Sequence, residues 1–266
     1  MHISTVMPAY NEGSRLAAFL EEWAGEALRR TSPIATARVV DDGSRGDEAA
    51  RQRRAVEDAA VVLRRAGAPH TVVYHRSDRN RGKGASIRWG WSLANADADW
   101  LGFIDSDGAV PAREYWRLAD QLPISDADVV CGSRVNMAGR HVERSLFRHL
   151  QGRAFATLVE ELFHLGFYDT QCGMKFFRGP LLRPLLPYLE EERWLLDVEV
   201  LSLLERGGAR CVEAPIDCQE RGGSALVFGL DPIRMAVRLV RLRSRLRRRA
   251  EPGARGTGNA MASKRR

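Results

Sequence analysis

Long apolar runs are missing from this 266-residue chain: the stretch 59–63 is among the longest, far below the roughly 18 to 20 residues needed to cross a bilayer. No charged-then-apolar segment precedes the first strand-like run, so neither a secretory leader nor a spanning helix is expected. Cysteine is scarce as well. Cys131, Cys172, Cys211 and Cys218 lie far apart without a C-x-x-C pair, which argues against a zinc site or a disulfide framework and suits a reducing cytosol. No fixed-period repeat occurs. What remains, at 44% apolar and 28% charged residues, is the make-up of a soluble globular protein large enough for one large domain or two small ones.

The net charge of +7 is unevenly placed. Residues 234–266 carry 12 Lys/Arg and one acid, a local +11, which leaves −4 on the first 233 residues. A nucleic-acid-binding module built on the tail would leave the acidic clusters of the body without a purpose, so no nucleic-acid partner is expected. Within the tail, Arg234, Arg238, Arg241, Arg245 and Arg248 recur every three to four residues among Met235, Val237, Leu239, Val240, Leu242 and Leu246, which predicts a basic amphipathic helix over 230–249. Two readings of that helix stand side by side. It either lies on an anionic membrane with its apolar side among the headgroups, each basic residue adding on the order of 1 kcal/mol, or docks on the domain with its arginines solvated. The aperiodic stretch 250–266 is expected to be disordered.

Apolar runs and helical patterns alternate along the body. His2–Ala9, 36–40, 71–75 and Trp100–Ile104 read as buried strands; 14–30, 47–66 and 84–94 read as helices. This order predicts an open, mostly parallel α/β sheet with helices on both faces, filling a domain over 1–229. A further helix over 143–165 has apolar positions Leu146, Leu150, Phe155, Leu158 and Leu162, which periodicity assigns to core before lipid groove.

In such sheets ligands bind beyond the carboxyl ends of the strands, and those positions are polar here. Asp105-Ser106-Asp107 leaves the fourth strand with both carboxylates on one side. Two hard oxygen ligands with space for water and phosphate suit Mg2+ or Mn2+ bridging a diphosphate. Asp41-Asp42-Gly43-Ser44 follows the second strand and, taken alone, is equally a tight turn with a helix cap. Asn80-Arg81-Gly82-Lys83-Gly84 offers close backbone approach, a cation and a helix start behind them, without the Ser/Thr of a Walker loop.

Together with Val6-Met7-Pro8-Ala9-Tyr10-Asn11-Glu12 and Gly132-Ser133-Arg134, these motifs resemble the family 2 glycosyltransferases of GT-A fold, over roughly 1–230. The strings 169–177 and 194–199 look like the branch that acts on dolichyl phosphate with glucose; the mannose enzymes are near relatives. The resemblance implies that Pro8, Ala9, Tyr10, Glu12, Asp41 and Asp42 hold the nucleoside of a sugar nucleotide, with Lys83, Asp105 and Ser106 along its diphosphate. It implies that Asp105 and Asp107 bind the metal, and that Arg134 and Lys175 meet phosphate. Asp197 and Glu199 are spaced i, i+2 on a helix and cannot share a face; Asp197 is the candidate for the site.

The expected reaction is therefore a metal-dependent, inverting transfer of a hexose, first of all glucose from UDP-glucose, to a polyprenyl phosphate. An anionic phosphate needs little help from a base, whereas a soluble hydroxyl acceptor, the alternative, requires one, with Asp197 the first choice. A mannosyl transfer from GDP-mannose is the other alternative. A sugar-nucleotide pyrophosphorylase is disfavoured, because residues 8–12 do not form a glycine-rich phosphate loop. Two features depart from the branch: Gly223-Ser224 is followed by Ala225 where a lysine is usual, and the chain opens directly in strand one where eukaryotic members carry an anchor. Membrane attachment, at the inner face of the cytoplasmic membrane, is then expected from the arginine helix.

Overall fold

The computed structural model describes residues 1–135, 137–143, 146–219 and 232–250; Gly223–Ala225 and the tail beyond 250 lie outside the described residues. In chain order the elements are β1 (His2–Ala9), α1 (Gly13–Ala27), β2 (Ile34–Asp41), α2 (Gly46–Arg65), β3 (Thr71–Arg76), α3 (Lys83–Ser92), β4 (Trp100–Ile104), α4 (Ala112–Ala119) and β5 (Val129–Ser133). Then follow β6 (Val142–Glu143), α5 (Leu146–Phe163), β7 (Met174–Arg178), α6 (Gly179–Leu182), α7 (Leu196–Arg206), β8 (Cys211–Pro215), β9 (Cys218–Gln219) and α8 (Pro232–Ala250).

Seven strands form one sheet in the order β3-β2-β1-β4-β7-β5-β8, parallel except for β7. The expected α/β architecture is present, and the four expected strands start and end within two residues of their predicted bounds. Apolar side chains cover both faces. Leu16, Phe19 and Trp23 of α1, Val56 and Leu63 of α2 and Tyr115 and Trp116 of α4 share one buried cluster. Ile87 and Trp91 of α3, Val159 and Phe163 of α5, Val200 and Leu201 of α7 and Leu239, Leu242 and Leu246 of α8 share the other. Of the apolar positions expected to face the core in α5, Phe155 and Leu162 pack against this cluster half-buried, whereas Leu158 is exposed and Val159 and Phe163 supply the buried contacts.

This packing assigns the leucines of the C-terminal helix to the docked reading. Leu239, Leu242 and Leu246 are 0%, 0% and 1% exposed, so these three pack against the domain, while Val237 and Val240 stay 43% and 56% exposed. Full burial stabilises a leucine side chain by about 1.5–3 kcal/mol, and moving these three into lipid would surrender in the protein what it gained in the membrane. Arg238, Arg241, Arg247 and Arg248 remain exposed, while Arg245 turns inward.

The order of strand addition reverses between the parallel strands β1 and β4: β2 and β3 lie to one side, β7, β5 and β8 to the other. Such a switch point opens a crevice at the carboxyl ends of the strands. Because β7 runs antiparallel, its first residue pairs with the last of β4, Ile104 with Met174. The loop entering β7 is thereby brought to the same edge, beside the turn that leaves β5.

Candidate active site

Ser106 and Pro8 close the bottom of the crevice, the Ser106 hydroxyl donating to the Pro8 carbonyl at 2.7 Å. Ala9 is buried, and its carbonyl accepts the Asp42 amide at 2.9 Å. Tyr10 stands 40% exposed at the rim. Asn11 takes φ +54, a left-handed conformation that asparagine tolerates. Its amide donates to Ser44 Oγ at 2.8 Å and its side-chain carbonyl accepts the Arg45 amide at 3.0 Å, tying the first two loops together.

Asp105 and Asp107 leave β4 into this crevice as expected. The Asp105 amide donates to the Gly173 carbonyl at 2.8 Å, and a side chain at Gly173 would collide with the Asp105 carboxylate. The Lys83 ammonium lies 2.6 Å from Asp105 Oδ1. Burial alone would lower its pKa, but Asp105 and Asp197 outweigh that and raise it. Asp107 Oδ1 accepts the Ala109 amide at 2.9 Å; burial, and then the Asp105 charge, push its pKa up. Glu12, paired with Arg15 at 2.5 Å, is raised by burial and by the same two aspartates.

Three carboxylates raised or crowded at one strand end are an electrostatic demand for a cation. Lys83 answers part of it with a single charge. Among the described residues no group of three or more His, Cys, Asp or Glu forms a protein cage, so a divalent ion on Asp105 and Asp107 would complete its shell with diphosphate and water, the arrangement Mg2+ and Mn2+ favour.

Asp41 and Asp42 differ from this. Asp41 is fully buried; Oδ1 accepts the Ser44 amide at 2.8 Å and Oδ2 the Tyr74 hydroxyl at 2.5 Å, with Arg76 Nε 3.5 Å away. Burial and that carboxylate push the Tyr74 phenol up. Asp42 accepts the amides of Arg81 and Gly82 at 2.8 and 2.7 Å. Gly82 has φ +108 and Gly43 φ +72; a Cβ on Gly43 would lie 2.6 Å from the Arg79 main chain, so the two loops interlock where only glycine fits. Both acids shape the floor, Asp41 bracing its own turn and Asp42 the glycine-rich loop.

Arg134 was expected to meet phosphate. Its Nε and Nη2 instead hold Asp169 at 2.6 and 2.8 Å. Burial alone would raise the Asp169 carboxyl, but Arg134 brings it down to about 2. As found, Arg134 braces the turn after β5 against the loop entering β7. Lys175 is completely buried, 2.7 Å from Asp197 Oδ1 and donating to the Cys172 carbonyl at 2.7 Å. Burial opposes its charge, yet Asp197 holds its pKa up at about 12. The ammonium groups of Lys83 and Lys175 lie 5.5 and 5.3 Å from the Phe103 ring centre, so Asp105, Lys83, Asp197 and Lys175 form one alternating charge cluster around an aromatic floor. As the spacing requires, Glu199 points elsewhere, into Arg245 of α8. Sequence reasoning missed Tyr74, Asp169 and Gly173; the string 169–177 held the last two, without assigning either a contact.

Comparison with known proteins agrees with this geometry. Residues 4–182 match the family model described as glycosyl transferase family 2. The chain is 29% identical to a dolichyl-phosphate beta-glucosyltransferase of Dictyostelium discoideum, over 92% of this chain and 75% of that one. It is 32% identical to the Drosophila melanogaster protein of the same name, over 85% and 69%. The fold matches Mycobacterium tuberculosis glucosyl-3-phosphoglycerate synthase in complex with Mn2+ and UDP-glucose, with a TM-score of 0.55 at 17% identity over 92% of this chain and 78% of that one. With a GT-A sheet, paired aspartates at its switch point and a family match across most of its length, the chain belongs to glycosyl transferase family 2 and is a nucleotide-sugar glycosyltransferase.

Proposed function

We propose that the protein transfers glucose from UDP-glucose, with inversion, to the phosphate of a polyprenyl lipid of dolichyl type. One observation carries this reading: Asp105 and Asp107 stand side by side in the β1/β4 crevice with a single lysine ammonium on Asp105, a carboxylate pair short of positive charge where a nucleoside diphosphate would lie. The relatives named above act on dolichyl phosphate, which supports the acceptor class.

In this mechanism Asp105 and Asp107 hold Mg2+ or Mn2+, which supplies charge neutralisation for the departing nucleoside diphosphate. Lys83 adds a second positive charge beside the leaving group, an interaction that strengthens as charge develops there. Tyr10 and Glu12 flank the nucleoside, and Asp42 keeps the glycine-rich loop against it. The acceptor is an anion already, so no proton has to be removed from it. Asp197 then serves by holding Lys175 charged beneath the sugar-binding region, and no base role is needed.

The membrane contact rests on the outward face of α8. Its arginines offer about 1 kcal/mol each toward anionic headgroups, attachment at the cytoplasmic face that weakens as salt screens it. No described helix is long and apolar enough to cross a membrane.

The test is transfer from labelled UDP-glucose and GDP-mannose, with Mn2+ or Mg2+, to a short polyprenyl phosphate and, separately, to water-soluble hydroxyl acceptors. Organic-extractable product from UDP-glucose supports the proposal. Product from GDP-mannose alone overturns the donor, and product on the soluble acceptor alone overturns the lipid.

A further inference from the structure

Among the described residues, Glu199 is the most deeply buried acid outside the crevice, at 0% exposure, and the proposed transfer chemistry makes no use of it. Its carboxylate accepts the Glu190 amide at 3.2 and 3.0 Å and the Glu191 amide at 2.9 Å. Arg245 of α8 donates to it at 2.8 Å and also pairs with Glu191 at 3.0 Å and Glu190 at 3.3 Å. A buried carboxylate on α7 therefore gathers two main-chain amides of the preceding loop and a guanidinium of α8, tying three segments together.

The next residues of that loop press on the glycine-rich loop. The Glu192 carbonyl accepts the Ala85 amide at 2.9 Å, taking one donor of the first turn of α3. A Cβ on Gly82 would lie 2.5 Å from that carbonyl oxygen; one on Gly84 would lie 2.5 Å from the Arg193 carbonyl oxygen and 2.9 Å from that of Glu191. Main chain meets main chain here, with the Arg193 Cγ beside Gly82 as well, so a shift in 190–193 bears directly on 82–85. Between those glycines stands Lys83, on Asp105.

We propose that Glu199 and Arg245 are positioning residues of the donor site, holding segment 190–193 against the glycine-rich loop so that the seating of α8 sets how firmly Lys83 is poised. Neither side chain touches the donor. Their influence runs through two layers of backbone, and the C-terminal helix, far along the chain from every donor motif, is a working part of the nucleotide site. The inference rests on the glycine-rich loop lining the donor pocket, as proposed above.

Two readouts test it, one independent of any donor. In the full-length, ligand-free protein, Arg245→Met is expected to speed amide hydrogen exchange across 82–86 by about tenfold while leaving β1 unchanged. UDP affinity in the presence of Mn2+ is expected to weaken by about three- to tenfold, with the donor KM raised and kcat lowered alongside it, because Lys83 also acts on the leaving group. Arg245→Lys, which keeps the charge, recovers most of both. Should Arg245→Met fail to fold, Glu199→Gln reads the same contact with the side-chain shape retained. Unchanged exchange at 82–86 overturns the brace. Faster exchange with unchanged UDP affinity, or a loss confined to kcat, overturns its role at the donor site. A wild-type protein that binds no UDP fails the donor reading instead, and the exchange measurement still decides whether the brace exists.

Discussion

Two pairs of acids stand at the carboxyl ends of β2 and β4, the two strands that flank β1, and in the sequence they look alike. Asp41 and Asp42 are satisfied from within: Ser44, Tyr74, Arg81 and Gly82 supply a donor to each of their four oxygens. Asp105 and Asp107 are not. Their charge is met by one lysine and one amide, and burial with mutual repulsion raises Asp107. A carboxylate whose partners are part of the fold is architecture, while one left short of donors is a place for a ligand. The difference lies in what surrounds the acids, since the residues are the same.

The sharpest way to break this comparison is to remove one acid of the open pair. Asp107→Ala is expected to lower transfer by about a thousandfold and leave the thermal midpoint equal or higher, because a destabilising buried charge goes with it; an active variant that still responds to Mn2+ would refute the assignment. In the closed pair the balance reverses. Asp41→Ala strands the Tyr74 hydroxyl and the Ser44 amide, and urea denaturation should register a loss of about 3 kcal/mol.

Asp169 extends the comparison to pH. Its carboxyl is held at about 2 against an ordinary 3.8, so the stability it contributes is complete above the ordinary value and is lost as pH falls from there toward 2. That amounts to about 2 kcal/mol, read as an acid limb in pH-dependent urea unfolding that flattens in Asp169→Asn. The smallest effect is expected from Asp42→Asn, which keeps the shape and removes the charge. The donor KM should rise about tenfold with transfer at saturating donor preserved, as steady-state kinetics would show.

The parallel strands were legible because each is an apolar run closed by polar turn residues, so β1 and β4 fall within their predicted bounds to the residue. β7 was not, since nothing in Met174–Arg178 says it will insert antiparallel between β4 and β5. In the site, Asp105 and Asp107 could be found from position alone, at a strand end. The closure of Asp42 could not: its donors lie about 40 residues ahead, as Asp169 lies 35 beyond Arg134. Periodicity marked α8 as amphipathic but did not separate Leu239, Leu242 and Leu246, which face the domain, from Val237 and Val240, which stay exposed, because only the partner surface decides that.

The lysines around Phe103 carry one more consequence. The chain has 38 arginines and three lysines, and two of the three, Lys83 and Lys175, flank this one ring. Arginine carries nearly all of the permanent positive charge; apart from Lys264 in the tail, the compact ammonium stands only beside this ring. Nitrogen-15 supplied only as lysine would therefore light up little besides the site, and both ammonium signals would feel the ring current of Phe103. A divalent cation bound at Asp105, as proposed, would draw it away from Lys83 and move one of those signals while that of Lys175, fastened to Asp197, stays in place, which would make the lysine spectrum a gauge of metal loading.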